Sequence, residues 1–314
     1  MTRYDVAVGI IGPGAIAGSH ARALESLGAR VVAAAGPERA DLDEYGAEFG
    51  VSALYDDHND LLADDSVDVV IVSAPSAVHA TLAIDALEAG KPVLVEVPVA
   101  LSLEDARAAV AVADRAALPF AVGHTLRYWA PHRELARLLA ESGHPATHVM
   151  VRSLQLRQSD VGWTGKVRSW TDSAVWHHGS HAVDAALWFL GDPAVSSLGV
   201  LGAPWTNGSV MDAAFSLRTD DSRIGRVELS YHSRRAISDF VVITEADTFE
   251  ITGGQLWRND QLLIDGDVAS TQERAVAAQD AAFLATVLGD VSAGLFRAAD
   301  ALPALAVLGG RTWT

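Results

Sequence analysis

The chain opens with a strand-like run that passes into a helix through a Gly-x-Gly-x-x-Ala turn. Residues 5–11 are mainly apolar, Gly12 and Gly14 follow, and helical periodicity continues over residues 15–27. Gly12 permits the tight turn, Gly14 leaves room for a pyrophosphate beside the backbone, and small Ala17 lets the helix pack closely on the strand. The helix N-terminus then faces the phosphates. A turn of this kind, placed between a strand and a helix, is typical of a dinucleotide-binding fold.

Strand and helix patterns alternate through the rest of the first 123 residues. Apolar runs at 30–35, 67–73, 92–97 and 120–123 are separated by amphipathic segments of helical period. This alternation predicts an α/β chain whose N-terminal domain, residues 1–123, is a Rossmann fold with a doubly wound parallel sheet.

Residues 124–314 show a different pattern, in which short strand-like runs follow one another with turn signals such as Thr252-Gly253-Gly254 between them. The runs lie near 147–156, 196–201, 210–218, 226–232, 240–243 and 248–251. They predict an α+β domain with an open, mostly antiparallel sheet. Helical patterns at 174–190, 275–288 and 298–308 would cover this sheet or reach back to the first domain.

Composition excludes several classes of function. A net charge of -17 argues against nucleic-acid binding, which depends on neutralising phosphates with Lys and Arg. No apolar stretch approaches the roughly 20 residues of a membrane span. The chain has no cysteine and no visible export signal, so a cytoplasmic location is expected.

Five motifs in order resemble the Gfo/Idh/MocA oxidoreductase family. They are the glycine turn and the segments at 74–79, 95–98, 123–128 and 179–188. The resemblance implies a Rossmann domain followed by a domain with an open sheet, whose outer face forms the contact of a homodimer or homotetramer. It also implies hydride transfer between a substrate carbinol carbon and a nicotinamide.

The cofactor contacts implied by the turn and the resemblance lie on three loops of the first domain. Glu96 ends a buried strand, where an unpaired carboxylate is costly, and the resemblance places it near the nicotinamide ribose. The predicted contacts on these loops are Gly12, Gly14, Ala15, Ile16, Ala74, Pro75, His79, Glu96 and Pro98, and Arg39 completes the set.

The choice between NADP and NAD depends on the end of the second strand. An NAD enzyme commonly has an acidic residue there to bind the ribose hydroxyls, whereas this chain has Ala34-Ala-Gly36. Arg39, a few residues on, is suited to a 2′-phosphate. NADP is therefore preferred, and NAD remains possible.

Two departures from the common family pattern bear on the chemistry. Most members have Glu-Lys-Pro with an acid/base lysine, but Val97 occupies the lysine position here. An aspartate that most members carry before the later histidine is also replaced, in the run His177-His178-Gly-Ser-His181. Both changes resemble the family branch that oxidises the cyclic hemiacetal of 4-carboxy-2-hydroxymuconate-6-semialdehyde. A hemiacetal hydroxyl is acidic enough for a histidine to accept its proton near neutral pH.

His181 and His177 are the predicted catalytic residues. With Asp184 and Trp188 they fall at helical spacing on one stripe, while His178 points elsewhere by helical phase. A metalloprotease-type zinc helix would need a Glu where His178 stands, so no metal is predicted. The substrate is expected to be a small anion, and its predicted contacts are His124, Arg127, Arg157, Arg168, Trp170, His178 and Asp184.

The sequence thus predicts an NAD(P)-dependent dehydrogenase of a small anionic cyclic hemiacetal. A sugar or polyol dehydrogenase of the same family is an alternative. Because the usual lysine is absent, a dinucleotide-binding sensor without catalysis is another.

Overall fold

The computed structural model describes residues 4–157, 173–205 and 208–310, together with the backbone of 312 and 313. The chain divides into two compact units. The first unit comprises residues 1–125 and 273–302, and the second comprises residues 126–272 and 303–314. The first break lies near the boundary predicted at residue 123. The helical patterns at 275–288 and 298–308 were expected either to cover the second sheet or to reach back to the first domain. Residues 273–302 do the latter, because they belong to the first unit.

The first unit contains a six-stranded parallel sheet in the order β3-β2-β1-β4-β5-β6. Its central strand β4, Val-Val-Ile-Val, is fully buried, as expected for a β-branched run covered on both faces. The strands are β1 (Ala7–Ile11), β2 (Arg30–Ala35), β3 (Ala53–Tyr55), β4 (Val69–Val72), β5 (Val93–Val95) and β6 (Phe120–Val122). The helices between them are α1 (Ala15–Leu27), α2 (Arg39–Phe49), α3 (His58–Leu62), α4 (His79–Glu88) and α5 (Leu103–Ala116).

The second unit is built on a nine-stranded sheet in the order β14-β13-β12-β11-β7-β10-β9-β8-β15. Only β7 with β10 and β8 with β15 pair in parallel among the described strands, so the sheet is mostly antiparallel. Its elements are α6 (Ala130–Ser142), β7 (His148–Leu156), α7 (His178–Phe189), β8 (Val195–Leu201), β9 (Asp212–Thr219), β10 (Ile224–Ser230), β11 (His232–Ile243), β12 (Thr248–Thr252), β13 (Gln255–Arg258) and β14 (Gln261–Ile264). Helix α8 (Val268–Val287) comes next in the chain, and most of it belongs to the first unit. The last elements are α9 (Leu302–Leu308) and β15 (Thr312–Trp313).

The two sheets confirm the predicted fold class. The tight turn expected at Gly253-Gly254 joins β12 to β13, and both glycines have positive φ, 58° and 88°. Helix α6 has no counterpart among the predicted elements. None of the described helices is long and apolar enough to cross a membrane.

Residues 273–302 complete the first unit. Phe283 and Leu284 of α8 are 1% and 0% exposed within the core cluster that also contains Ile10 and Ala17. The segment after α8 extends the contact, because the Val122 N–H donates to the Phe296 carbonyl at 3.4 Å. The Rossmann core is therefore closed by a segment distant in sequence.

Candidate functional site

The glycine turn lies at the point where the strand order of the first sheet reverses. Strand β1 is central, β2 and β4 flank it, and ligands of such sheets bind outside the carboxyl ends at this point. Gly12 has φ +91°, and a Cβ there would stand 2.5 Å from the Cα of Ala74. The loops after β1 and β4 therefore touch, and only glycine fits between them.

The residues of the turn fit a dinucleotide. Apart from Gly14 and its two chain neighbours, no described residue has an atom within 4 Å of the place where a Gly14 Cβ would stand, so the backbone is open to a ligand. The first turn of α1 carries no acidic residue. Its N–H groups, including those of Ala15 and Ile16, lack intrahelical acceptors and can bind a pyrophosphate. Ala17 is fully buried, as close packing of α1 requires.

His79 ties together two loops of this site. Its ring nitrogens lie 2.7 Å from the Ala74 carbonyl oxygen and 2.7 Å from that of Pro98, and the residue is 1% exposed. Pro75 is the residue before the short helix that leads into α4, and Pro98 follows a cis peptide bond from Val97. The His79 ring thus holds the loop at Ala74 and the loop at Pro98, both predicted to contact the cofactor, in fixed positions relative to each other.

Glu96 follows β5 at the same edge of the sheet. Its Oε1 lies 3.0 Å from Nε2 of His20, and Nδ1 of that ring lies 2.9 Å from Asp280 Oδ2. The sequence did not indicate His20 or Asp280 as site residues. His20 occupies an ordinary helical position in α1, and Asp280 lies 260 residues away, so no local pattern relates them.

Arg39 begins α2, next to the end of β2. Its guanidinium pairs with Asp43 at 2.9 Å and with Asp56 at 3.7 Å, and its side chain is 57% exposed. The hydrogen bond and charge of Asp43 raise the pKa of Arg39 further above its usual range. Strand β2 ends at Ala35 without an acidic residue, as the sequence showed.

His124 belongs to the first unit and follows β6 after Gly123. It is 2% exposed, and its ring centroid lies 5.1 Å from that of Phe296. Its predicted role as a substrate contact stays a prediction.

The histidine run lies in the second unit, at the start of α7. The helix begins at His178, and His177 is its N-cap residue. The predicted start at residue 174 is too early because residues 174–177 form a turn, in which the Ala174 N–H donates to the Val210 carbonyl at 2.9 Å. His181 and Asp184 lie within α7, while His177 lies just before its first residue.

His178 is held by two residues from the sheet. The amide nitrogen of Gln155 lies 3.2 Å from His178 Nε2, and Nδ1 lies 2.7 Å from the Tyr231 hydroxyl. Because an amide nitrogen only donates, Nε2 accepts, and Nδ1 donates its hydrogen to Tyr231. Burial, with the charge of Arg157 adding to it, lowers the pKa of His178 to about 4. His178 is therefore neutral at physiological pH.

The rings around His178 form a continuous run. The centroids of His177 and His178 are 4.7 Å apart, and those of His178 and Tyr231 are 5.3 Å apart. The Arg157 guanidinium carbon lies 5.4 Å from the Tyr231 ring centroid, within the range of a cation–π contact. The structure thus brings together Arg157, His177 and His178, three of the predicted residues, and adds Tyr231, which lies beyond every motif identified in the sequence.

Arg127 and Asp184 contact each other. Arg127 Nε lies 2.8 Å from Asp184 Oδ2, and Arg127 lies 4.7 Å from the Trp188 ring. Asp192 is a second acidic partner of Arg127, at 3.3 Å. The substrate contacts expected of Arg127 and Asp184 stay predictions, and the geometry gives both residues a structural role.

Arg168 and Trp170, both predicted to contact substrate, lie outside the described residues. Among the residues that are described, no group of three or more His, Asp or Glu side chains is placed to hold a metal ion.

Comparison with known proteins matches both units. Residues 6–124 match the Gfo/Idh/MocA oxidoreductase family, NAD-binding Rossmann fold. Residues 131–266 match the C-terminal domain of bacterial oxidoreductases.

Two curated relatives illustrate the range of activities. The chain is 27% identical over 283 residues to 4-carboxy-2-hydroxymuconate-6-semialdehyde dehydrogenase of a Sphingobium species, covering 89% of this chain and 90% of that one. It is 31% identical over 233 residues to inositol 2-dehydrogenase of Rubrobacter xylanophilus, covering 71% of this chain and 64% of the relative.

Solved structures share the fold. GenD2 from gentamicin A biosynthesis, in complex with NAD, has a TM-score of 0.84 at 20% identity, covering 99% of this chain and 94% of that chain. The WlbA dehydrogenase from Bordetella pertussis, in complex with NADH and UDP-GlcNAcA, also has a TM-score of 0.84 at 20% identity, covering 98% and 94%.

Proposed function

We propose a function that starts from family membership: the chain belongs to the Gfo/Idh/MocA family of oxidoreductases, and its first unit is an NAD-binding Rossmann fold. Within that family, it oxidises a small anionic cyclic hemiacetal of the 4-carboxy-2-hydroxymuconate-6-semialdehyde type. The activity of the Sphingobium relative, matched along most of both chains, supports this choice of substrate.

The observation that carries the proposal is the histidine cluster at the start of α7 in a chain without the usual lysine. Val97 offers no acid or base and is 4% exposed. His177, His178 and His181 lie within five residues, and Arg157 lies beside the same cluster. This arrangement combines proton acceptors with a cation, as oxidation of an anionic hydroxy compound requires.

A bound nicotinamide supplies the acceptor for the hydride that leaves the carbinol carbon. His181 takes the hydroxyl proton as the carbon–oxygen double bond of the lactone forms. His177, at the helix N-cap, supports the charge that develops on His181. His178 stays neutral and fixed by Gln155 and Tyr231, so its role is to hold the start of α7 in place. Arg157 binds a carboxylate of the substrate.

The proposed cofactor is NADP. A 2′-phosphate next to the end of β2 would meet both Arg39 and the N-terminus of α2, where anions are favoured. The side chains of Asp43 and Asp56, which pair with Arg39, are 58% and 74% exposed. Ion pairs this exposed are weak because solvent screens them, so a phosphate can displace them.

Self-association is proposed through the exposed face of the second sheet. Leu198 and Val200 of β8 and Ile224 of β10 are 40%, 52% and 43% exposed, and the strand register places them on one face. Sedimentation velocity tests this proposal: Leu198→Asp should convert an oligomer into monomers. A wild-type monomer would contradict it.

The decisive test of the activity is a substrate screen with NADP and NAD. The substrates are a ring-cleavage semialdehyde in its hemiacetal form, myo-inositol and a set of aldoses, each followed by absorbance of the reduced cofactor. Turnover of the semialdehyde above all others is expected. Turnover of inositol or an aldose alone would assign a polyol or sugar dehydrogenase. Cofactor binding without turnover of any substrate would favour the alternative that the protein is a dinucleotide-binding sensor without catalysis.

A further inference from the structure

A buried histidine in the first unit is clamped between two carboxylates. His20, on α1, is fully buried. Its Nδ1 lies 3.0 and 2.9 Å from the two carboxylate oxygens of Asp280, and its Nε2 lies 3.0 Å from Oε1 of Glu96. These three residues, from α1, α8 and the end of β5, are called the His20 clamp.

The clamp fixes the protonation of its histidine. Each ring nitrogen lies within hydrogen-bond distance of a carboxyl oxygen, and a ring that donates from both nitrogens is an imidazolium. Burial alone would lower the pKa of His20, but the charges and hydrogen bonds of Asp280 and Glu96 outweigh it and raise the pKa to about 10. Burial raises the pKa of Asp280, while the charge and the hydrogen bond of His20 act against that rise.

Gly123 forms the other wall around Glu96. A Cβ on Gly123 would stand 2.6 Å from Glu96 Oε1 and 3.1 Å from Oε2, so the carboxylate lies flat against the glycine backbone. Oε1 is occupied by His20, and Oε2 makes no hydrogen bond within the described residues. The Glu96 side chain retains 15% exposure. One oxygen is therefore held and the other is presented at the carboxyl edge of the sheet.

We propose that His20 and Asp280 are positioning residues for cofactor binding, which hold the Glu96 carboxylate so that Oε2 accepts a hydrogen bond from the nicotinamide ribose. The inference rests on the proposed function, because it assumes that the edge of β5 receives the nicotinamide half of the cofactor. Helix α1 then serves both halves of the ligand. Its N-terminus faces the pyrophosphate, and His20 in the same helix orients the acceptor for the ribose.

Loss of the imidazolium would release Glu96. Without His20, two carboxylates would face each other in a poorly hydrated space, where like charges repel. Glu96 would rotate toward solvent or take up a proton, and in either case the ribose acceptor is lost. The pyrophosphate turn, which is built from backbone, would remain in place.

The experiment compares NADH with ADP by isothermal titration calorimetry. ADP lacks the nicotinamide and its ribose, and neither ligand carries the 2′-phosphate, so Arg39 does not influence the comparison. The variants are His20→Gln, the milder Asp280→Asn, and Gly123→Ala, whose methyl group displaces the Glu96 carboxylate without touching His20. His58→Gln is the control, because it removes another histidine that contacts an aspartate, Asp85 at 2.9 Å, in the same unit.

Each of the three variants is expected to weaken NADH binding about tenfold, as loss of a charge-assisted hydrogen bond would, and to change ADP binding by less than about twofold. The control should bind both ligands as the wild type does. Glu96→Gln should weaken NADH to a similar extent, and adding His20→Gln to Glu96→Gln should produce no further loss. That non-additivity is a result that a merely structural role of His20 would not give.

Two results would overturn the inference. One is wild-type NADH affinity in His20→Gln and Asp280→Asn, and the other is an equal loss of NADH and ADP binding. If His20→Gln fails to fold, Asp280→Asn and Gly123→Ala decide the matter by the same criteria. Failure of the proposed function has a different signature, because the wild-type protein would then leave the semialdehyde unoxidised in the substrate screen, whatever its affinity for NADH.

Discussion

Arg127 and Asp184 form a two-pronged ion pair, in which Nε and Nη2 of the arginine each lie 2.8 Å from a different carboxylate oxygen. Their side chains are 13% and 3% exposed. A motif-based interpretation assigns each of them to the substrate, whereas the pairing makes each the principal charge partner of the other.

Asp184→Asn should lower the free energy of unfolding of the second unit by about 3 kcal/mol, because it removes the nearer and more buried of the two carboxylates that pair with the Arg127 guanidinium. All eight tryptophans of the chain fall within the sequence ranges of the second unit, so urea unfolding followed by tryptophan fluorescence reports on it. The double change Arg127→Met with Asp184→Leu should cost less than Asp184→Asn alone. Unchanged stability together with a raised KM would instead assign Asp184 to the substrate.

Arg39→Ala should weaken NADPH binding about tenfold and leave NADH binding unchanged, because only NADPH carries the 2′-phosphate. Fluorescence titration of both cofactors measures the effect. Asp43→Asn is the matched opposite change: it frees Arg39 and should strengthen NADPH binding alone. Equal affinity of the wild-type protein for both cofactors would contradict the assignment of NADP.

His181→Ala should lower kcat on the best substrate by about a hundredfold to ten-thousandfold, the range for loss of a positioned acid or base, with cofactor affinity nearly unchanged. His177→Ala should lower it less and shift the pH profile, because a supporting charge tunes the proton acceptor. Steady-state kinetics across pH 6 to 9 provides the measurement. Near-native turnover of His181→Ala would eliminate this residue as the base.

Val97→Lys should not increase turnover of a hemiacetal. The position is buried, so the new ammonium group would be desolvated and would lack the aspartate that accompanies it in most family members. The comparison uses kcat/KM for the semialdehyde and for myo-inositol. If the wild-type protein oxidises neither substrate and Val97→Lys oxidises inositol, the protein would be a polyol dehydrogenase that lost its activity with the lysine. This result would support the dinucleotide-binding sensor.

His132→Phe should make the second unit less sensitive to acid. His132 lies among the rings of Trp129, Phe189 and Phe240, and within the described residues neither of its ring nitrogens has a hydrogen-bond partner. Burial lowers its pKa to about 3 from the usual 6.5. The unfolded chain therefore binds the proton first as the pH falls, and stability is lost between pH 6.5 and 3.

By pH 5 this linkage costs about 2 kcal/mol. Urea unfolding at pH 7 and at pH 5 should show a drop smaller by that amount in His132→Phe than in the wild type. His144→Phe, at a half-exposed position of the same unit, controls for the chemical change. The same pH dependence in wild type and His132→Phe would show that His132 is not the group responsible.

The sequence predicted those features that local patterns determine. The turn at Gly12 and Gly14 is such a feature, because strand, turn and helix are contiguous and each glycine has its own steric reason. The buried run of β4 and the Gly253-Gly254 hairpin are others. Helix α6 was missed because its N-cap is Trp129, which makes no side-chain capping bond. Pro131 lies in its first turn, where proline is favoured, and is the start signal that was overlooked.

Side-chain partners are a different matter, since they depend on packing between distant segments. Arg127 and Asp184 were each identified within a motif, but their pairing across 57 residues was not. Tyr231 lies in no motif and reaches His178 only because α7 packs against the sheet. His178 was assigned by helical phase alone, and its neutral state follows from burial and from Gln155, which the sequence did not connect to it.

The return of residues 273–302 to the first unit also orders events during synthesis. Asp280 leaves the ribosome 260 residues after His20, a delay of about 10 to 50 s at ordinary elongation rates. Until then His20 and Glu96 lack their third partner, and the core lacks Phe283 and Leu284. The first unit, although it begins the chain, is therefore completed only after residues 126–272 of the second unit have been translated.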